Sequence, residues 1–401
     1  MNTRPIKALL VSLSPPVNDC GIRILMHRHL IQRSPFELRV ATNDQGACQT
    51  HGYDFLPLPP LLQRVLNSRL HDWAVDCENL LAPYLTTKTL DGIVESFRPD
   101  VILTVADNSL CWLAAAAAKR HQLPLAGFFQ DWFPIMDGHY GHRFTWPVLH
   151  RRFRRFYQRC DVTLCISDGM RQALGPHRNA KVIYPIAGGT SVSSDESELP
   201  PRRLRLVYVG SVERFYGRML SSLLEASRGG DGFDIVVAGP RADWPAETLS
   251  WATQNGIYLG FQPPEEAAHL LSGADALLVV MSFEEEYRLF METSFNTKIA
   301  DYCSFGKPIV FWGPAYAAPR ALLERTGSAV FVDSPNPAAV LLACNDLARD
   351  RTKQIHLARS VSKLRDAELN PERLQSAFVE SVTSLVAARD SRGDKNLNTA
   401  N

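Results

Sequence analysis

Lys298 and Asp301, three positions apart in the stretch SFNTKIADYCSFGKPIVFWGP (residues 294–314), are the pair with the clearest potential for chemistry in this sequence. The stretch predicts helix, stop, strand. Asn296 or Thr297 suits a helix N-cap, Ile299 and Tyr302 form a short apolar stripe, and Gly306 falls where a left-handed C-terminal cap belongs. Pro308 bars the helix from continuing, and the apolar run 309–312 reads as a strand buried on both faces. In an open α/β sheet ligands collect at the carboxyl ends of the strands, where a helix N-terminus offers unpaired N–H groups to an anion. On that geometry Lys298 stands beside a diphosphate. Asp301, one turn later on about the same face, accepts two hydrogen bonds from a sugar diol. The same residues also suit an ordinary buried helix in which Lys298 and Asp301 form a solvated pair.

Other residues fall at similar edges. Gly21 lies in the loop SPPVNDCG between a first strand and a helix, a nucleotide-binding type of opening, although a single glycine also just turns the chain. Asp107 and Asp131 each follow a strand, where a carboxylate can orient or deprotonate an acceptor hydroxyl or else cap the next helix. Arg214 and Arg218 follow Gly210 at the end of another strand and can grip a phosphate bidentately. The segment MDGHYGHRF, with His139 and His142, lacks periodicity and suits a loop that closes over substrate; its glycines argue against a helical metal pair. HRRFRRFYQRC reads as a basic helix that either binds anionic lipid headgroups or presents a solvated arginine face.

The elements that must carry these groups alternate between strand and helix. Strands are predicted at 6–13, 38–41, 101–105, 124–129 and 162–167, and again at 204–209, 234–238, 257–260, 276–280, 309–312 and 330–332. The polar segment AGGTSVSSDESELPP between the two sets has linker composition. The expected organisation is a first α/β domain at 1–186, a linker at 187–201, a second α/β domain at 202–388 ending in a helix from about 371, and a disordered tail at 389–401. With 401 residues, 45% hydrophobic and 21% charged, the chain is long enough for two large cores. A formal net charge of +1 gives no reason to expect nucleic acid. The eight cysteines form no CxxC pair and no zinc spacing, which suits a reducing compartment. The apolar run near the start is too short for a secretory core and no stretch is long enough to span a bilayer, so a cytoplasmic protein is expected, at most resting on the inner face of the membrane.

Several segments resemble the GT-B glycosyltransferases of the family-four type. They are Asp161-Val162-Thr163-Leu164-Cys165-Ile166-Ser167, Val207-Tyr208-Val209-Gly210, Gly273-Ala274-Asp275-Ala276 and the block from Lys298 through Val310. The resemblance extends from residue 6 to about 388. It implies two Rossmann-like domains facing each other across a cleft, with a nucleotide-sugar donor held mainly by the second, through Gly210, Arg214, Arg218, Asn296, Thr297, Lys298 and Asp301. A glycan or lipid-linked acceptor goes to the first. Sugar transfer proceeds with retention, the departing phosphate taking the acceptor proton; no metal and no further cofactor is implied. The activity expected is a hexosyltransferase of cell-surface polysaccharide biosynthesis. The family's two glutamates lie eight positions apart. Here the second is Asp301 and the first is Thr293; Glu292, a candidate catalytic residue, substitutes for the first only with a one-residue shift. The family's arginine after the strand glycine is Ser211, its lysine before the next glycine is Tyr216, and its usual histidine before the aspartate is Gln130. These departures leave two other readings, a degenerate GT-B domain that binds nucleotide or serves as a scaffold, and a sugar-nucleotide epimerase.

Overall fold

The computed structural model describes residues 4–19, 21–57, 60–81, 88–133, 142–188, 203–229 and 232–398. The chain divides into two units, one comprising Met1–Ile186, Thr293–Phe295 and Pro371–Asn401, the other Ala187–Glu292 and Asn296–Asn370.

In the first unit, seven strands pair in parallel in the order β3-β2-β1-β4-β5-β6-β7. They are β1 (Lys7–Val11), β2 (Glu37–Thr42), β3 (Asp54–Phe55), β4 (Val101–Val105), β5 (Leu125–Phe129), β6 (Val162–Cys165) and β7 (Ala180–Val182). The central strands β4, β5 and β6 are buried along their whole length, as their continuous apolar runs require. The order turns back between β1 and β4, so the loops leaving these two strands diverge and open a crevice at their carboxyl ends. Helix Trp146–Arg159 packs onto this unit through Leu149, Phe153, Phe156 and Tyr157, spaced along one face of the helix and all buried. Its rings meet those of Trp112, Phe129, Trp132 and Phe133. Each such ring contributes roughly 1.5–3 kcal/mol of burial.

The second unit has a five-stranded parallel sheet in the order β12-β11-β10-β8-β9. Its strands are β8 (Leu204–Val209), β9 (Phe233–Ala238), β10 (Ala276–Val280), β11 (Ile309–Trp312) and β12 (Ala329–Val332). Here the order turns back between β8 and β10, again leaving a crevice at the carboxyl edge.

Three sequence expectations change. Residues 257–260 do not form a strand: a single bridge, Val237 to Tyr258, and one further backbone bond from the Gly239 N–H to the Gly260 carbonyl at 2.8 Å tie them to β9 and the residue after it, and Gly256 and Gly260 both take positive φ (68°) and break the extended run. The short edge strands β3 and β7 carry too few residues to show a period and were not predicted. The helix expected to close the second domain, Pro371–Asn398, belongs instead with the first unit and continues through much of the expected tail, no proline interrupting it. Its fully buried Phe378 meets the rings of His29, Phe36 and Phe128. The Gln375 side-chain oxygen accepts from His29 Nδ1 at 2.8 Å, and its amide nitrogen donates to the carbonyls of His29 and Arg33 at 3.1 and 2.9 Å. His29 lies within the π-helical turn Arg28–Gln32 and Arg33 is the residue that ends it. Most of the linker expected at 187–201 lies outside the described residues.

Candidate active site

At the turning point of the second sheet one lysine occupies a seat made for it. Lys298 opens the six-residue helix Lys298–Cys303, and its backbone N–H donates to the side-chain oxygen of Asn296 at 3.2 Å. Of the two residues suited to cap this helix, Asn296 therefore does so. Thr297 is already helical (φ −58°, ψ −26°) and its side chain makes no capping bond. The Lys298 side chain runs over Gly210, the residue that ends β8. Gly210 has φ +145°, and a Cβ there would lie 1.9 Å from Lys298 Cε and 2.8 Å from Nζ, so no other residue leaves room for the chain. The ammonium then faces two aromatic rings, with Nζ 5.2 Å from the centroid of Tyr208 and 4.8 Å from that of Tyr216. Burial pushes the Lys298 pKa down to about 8, partly opposed by Asp301. Asp301 itself accepts from the backbone N–H of Gly188 at 2.9 Å. Tyr216 stands where the family-four pattern has a lysine, so the ring that replaces one cation here supports another.

The first unit presents carboxylates at its own turning point. Asp107 follows β4 and accepts from Ser14 Oγ, in the loop after β1, at 2.5 Å. Its other oxygen, Oδ1, is buried with no hydrogen-bond partner among the described residues. Burial pushes the Asp107 pKa up to about 7; the hydrogen bonds from Ser14 and its own backbone N–H oppose the rise and the charge of Asp131 adds to it. Asp131, after β5, accepts from Ser294 Oγ at 2.7 Å, and burial raises its pKa too. Asp107 thus holds a proton near neutrality and Asp131 holds one more tightly than an ordinary carboxyl, both suited to bonding a hydroxyl. Gly21 begins helix Gly21–His27 with φ +49° and open space around its missing Cβ, so its conformation rather than close approach needs glycine.

Several of the remaining candidates have side chains held by other groups. Arg218 grips Glu284 bidentately, its Nη2 2.8 Å from each carboxylate oxygen, in an exposed pair. Glu292 accepts from Arg288 Nε at 2.9 Å. Arg214 is exposed at the start of helix Arg214–Ser227, with φ 58°, and its backbone N–H is taken by Asp243 at 2.7 Å. Thr293, at the place of the family's first glutamate, is fully buried and its carbonyl accepts from Ser167. His139 lies outside the described residues. His142 bonds the buried carboxylate of Asp76 through Nδ1 at 2.8 Å and its backbone N–H at 2.9 Å. Among the described residues no group of three or more His, Cys, Asp or Glu could hold a metal ion. Sequence reasoning missed Ser14, Ser294, Tyr208 and Tyr216. Ser14 and Ser294 adjoin predicted elements, but nothing local marks them as partners of an aspartate.

Residues 32–190 match the model of Glycosyltransferase Family 4. Sucrose-phosphate synthase from Thermosynechococcus elongatus superposes with a TM-score of 0.64 at 14% identity, covering 96% of this chain and 100% of that one. The chain has the GT-B fold. HepE of Anabaena, solved in complex with UDP, gives a TM-score of 0.63 at 14% identity over 94% of this GT-B chain and 100% of HepE. The UDP-N-acetylglucosamine 2-epimerase from Rickettsia bellii gives 0.50, at 14% identity over 96% of this chain and 98% of that one. No curated protein sequence matches. The likeness to Glycosyltransferase Family 4 in sequence covers residues 32–190, and the GT-B fold extends along the chain.

Proposed function

We propose that this protein is a retaining glycosyltransferase that moves a sugar from a nucleotide-sugar donor to a hydroxyl of a glycan or lipid-linked acceptor, in polysaccharide biosynthesis. The observation that carries the reading is the Lys298 seat: a partly desolvated ammonium, over a glycine that admits no side chain, at the carboxyl edge of a parallel sheet. A desolvated cation held in place before the ligand arrives stabilises the charge that builds on a departing diphosphate. Lys298 takes that role, and Asp301 the donor's ribose. As the bond from the sugar carbon to the phosphate oxygen breaks, the acceptor oxygen bonds the same carbon and its proton passes to the departing phosphate. Asp107 and Asp131 orient the acceptor hydroxyl. HepE, of the same fold, binds UDP, which supports a uridine nucleotide as the first to try.

Thermal unfolding in the presence of UDP, GDP, ADP, CMP or dTDP tests this. A ligand at about 100 times its dissociation constant stabilises by about 2.7 kcal/mol, an easily read shift. Absence of any shift, with the protein folded, overturns the donor site. A second reading, a GT-B domain that binds nucleotide without turnover, is favoured by the burial of Thr293 in place of a glutamate. Binding without hydrolysis or transfer across a broad acceptor panel would select it.

A further inference from the structure

Helix Trp146–Arg159 has one face that the fold uses and one that it leaves open. Beyond its buried apolar stripe an open groove of about 690 Å³ runs along the outer side, lined chiefly by Arg143, Trp146, His150, Arg151, Arg154 and Arg155. No carboxylate lines it, and among the described residues none of the four guanidinium groups is paired with one. Arg143 lies over the Trp146 ring at 5.6 Å and Arg154 over Trp132 at 5.3 Å, so these two are seated against aromatic rings.

The neutral groups in the groove are donors as well. His150 Nδ1 accepts the indole N–H of Trp132 at 2.9 Å, which puts the proton of the neutral ring on Nε2. Burial, with Arg154 close by, lowers the His150 pKa and keeps that ring neutral. The indole nitrogen of Trp146 is buried and has no hydrogen-bond partner among the described residues. A groove that offers positive charge and the N–H of a neutral histidine is complementary to phosphate oxygens.

A second chemistry adjoins the first. Phe144 is 64% exposed, Trp73 52% and Val148 45%, high values for such large apolar side chains. The Trp73 and Phe144 rings lie 5.9 Å apart, with the His142 ring 4.3 Å from Trp73. A soluble phosphate would use the groove alone, whereas a lipid surface uses both chemistries, headgroup phosphates for the arginines and the acyl boundary for the rings.

We propose that this face docks on an anionic phospholipid bilayer, with headgroup phosphates in the arginine groove and Phe144, Trp73 and Val148 in the interface. It rests on the first unit alone and is independent of the donor site.

Sedimentation of the full chain with vesicles tests it, comparing phosphatidylcholine alone with equal parts phosphatidylcholine and phosphatidylglycerol at low salt. Binding is expected on the anionic vesicles and at least about tenfold weaker on the neutral ones. Each arginine near such a surface contributes about fivefold, so Arg151→Glu with Arg155→Glu lowers binding by at least about 30-fold. The matching pair of lysine substitutions retains it, and Phe144→Ser weakens it even at high salt, where charge is screened. The proposal is overturned by equal binding to both vesicles, by no binding to either, or by a folded double glutamate variant that still sediments. Displacement by millimolar inorganic phosphate at matched ionic strength would also overturn it, by showing a soluble phosphate ligand instead.

Discussion

The two sheets turn back in the same way, between β1 and β4 in one unit and between β8 and β10 in the other, yet the edges they expose are chemically opposite. At the first edge burial raises the proton affinity of Asp107 and of Asp131, each beside a serine hydroxyl, and the charge of Asp131 adds to the rise at Asp107. At the second a glycine clears space for one lysine between two tyrosines. Burial works on both, favouring the neutral form of each group, so the carboxyls rise toward neutrality and the ammonium falls. A doubly wound sheet thus supplies a place for ligands without prescribing their charge; the residues just past the strand ends do that.

The sharpest way to break the contrast is to fill the lysine seat. Gly210→Val puts a Cβ into Lys298 and a branched residue at positive φ; nucleoside diphosphate affinity should fall by about 100-fold or more and stability by about 1–3 kcal/mol, read by calorimetry and thermal unfolding. If the variant binds as wild type does, the second edge is not the donor site. Lys298→Met leaves the seat and removes the charge, with an expected loss of about 1.5–3 kcal/mol in the same affinity. In the wild type that affinity should decline as pH passes about 8 and the ammonium loses its proton, whereas the methionine variant should show no such step.

Asp107→Asn probes the opposite edge. The folded pKa of about 7 lies above the ordinary 3.8, so the folded state holds the proton more tightly than the unfolded chain. The stability this gives is fully present below about pH 3.8 and is lost as pH rises through about 7. Melting temperatures taken from pH 4 to 8 should fall for the wild type relative to the asparagine variant; parallel curves would remove the protonated carboxyl from the account. The smallest effect is expected for Arg218→Ala, because Arg218 is already spent on an exposed pair with Glu284: nucleotide affinity and stability should each change by less than about 1 kcal/mol. A large loss of affinity would mean that the diphosphate draws Arg218 away from Glu284.

Much of this was legible in the chain. The apolar runs of β4, β8, β10 and β11 coincide with their predicted bounds, since a strand buried on both faces leaves an uninterrupted signal ended by glycine, proline or a polar residue. Gly210, Lys298 and Asp301 could be singled out because they punctuate such runs. Arg218 was indistinguishable from a phosphate ligand in sequence, since the carboxylate that occupies it, Glu284, lies far along the chain. Tyr216 read as a loss, a lysine replaced, and only its ring beside Lys298 shows what it does. The C-terminal helix was assigned to the wrong unit for a related reason: its apolar face reveals that it packs, but not that Phe128 and His29 are what it packs against.

The order of amino acids therefore determined by itself where the continuously apolar strands begin and end, that strands and helices alternate in two α/β units, and which residues stand at those strand ends, because each depends on near neighbours and on periodicity. The tertiary structure alone decided which charges remain available, which carboxyls hold protons and which unit owns the last helix, because pairing and desolvation depend on groups that sheet order brings together from distant parts of the chain.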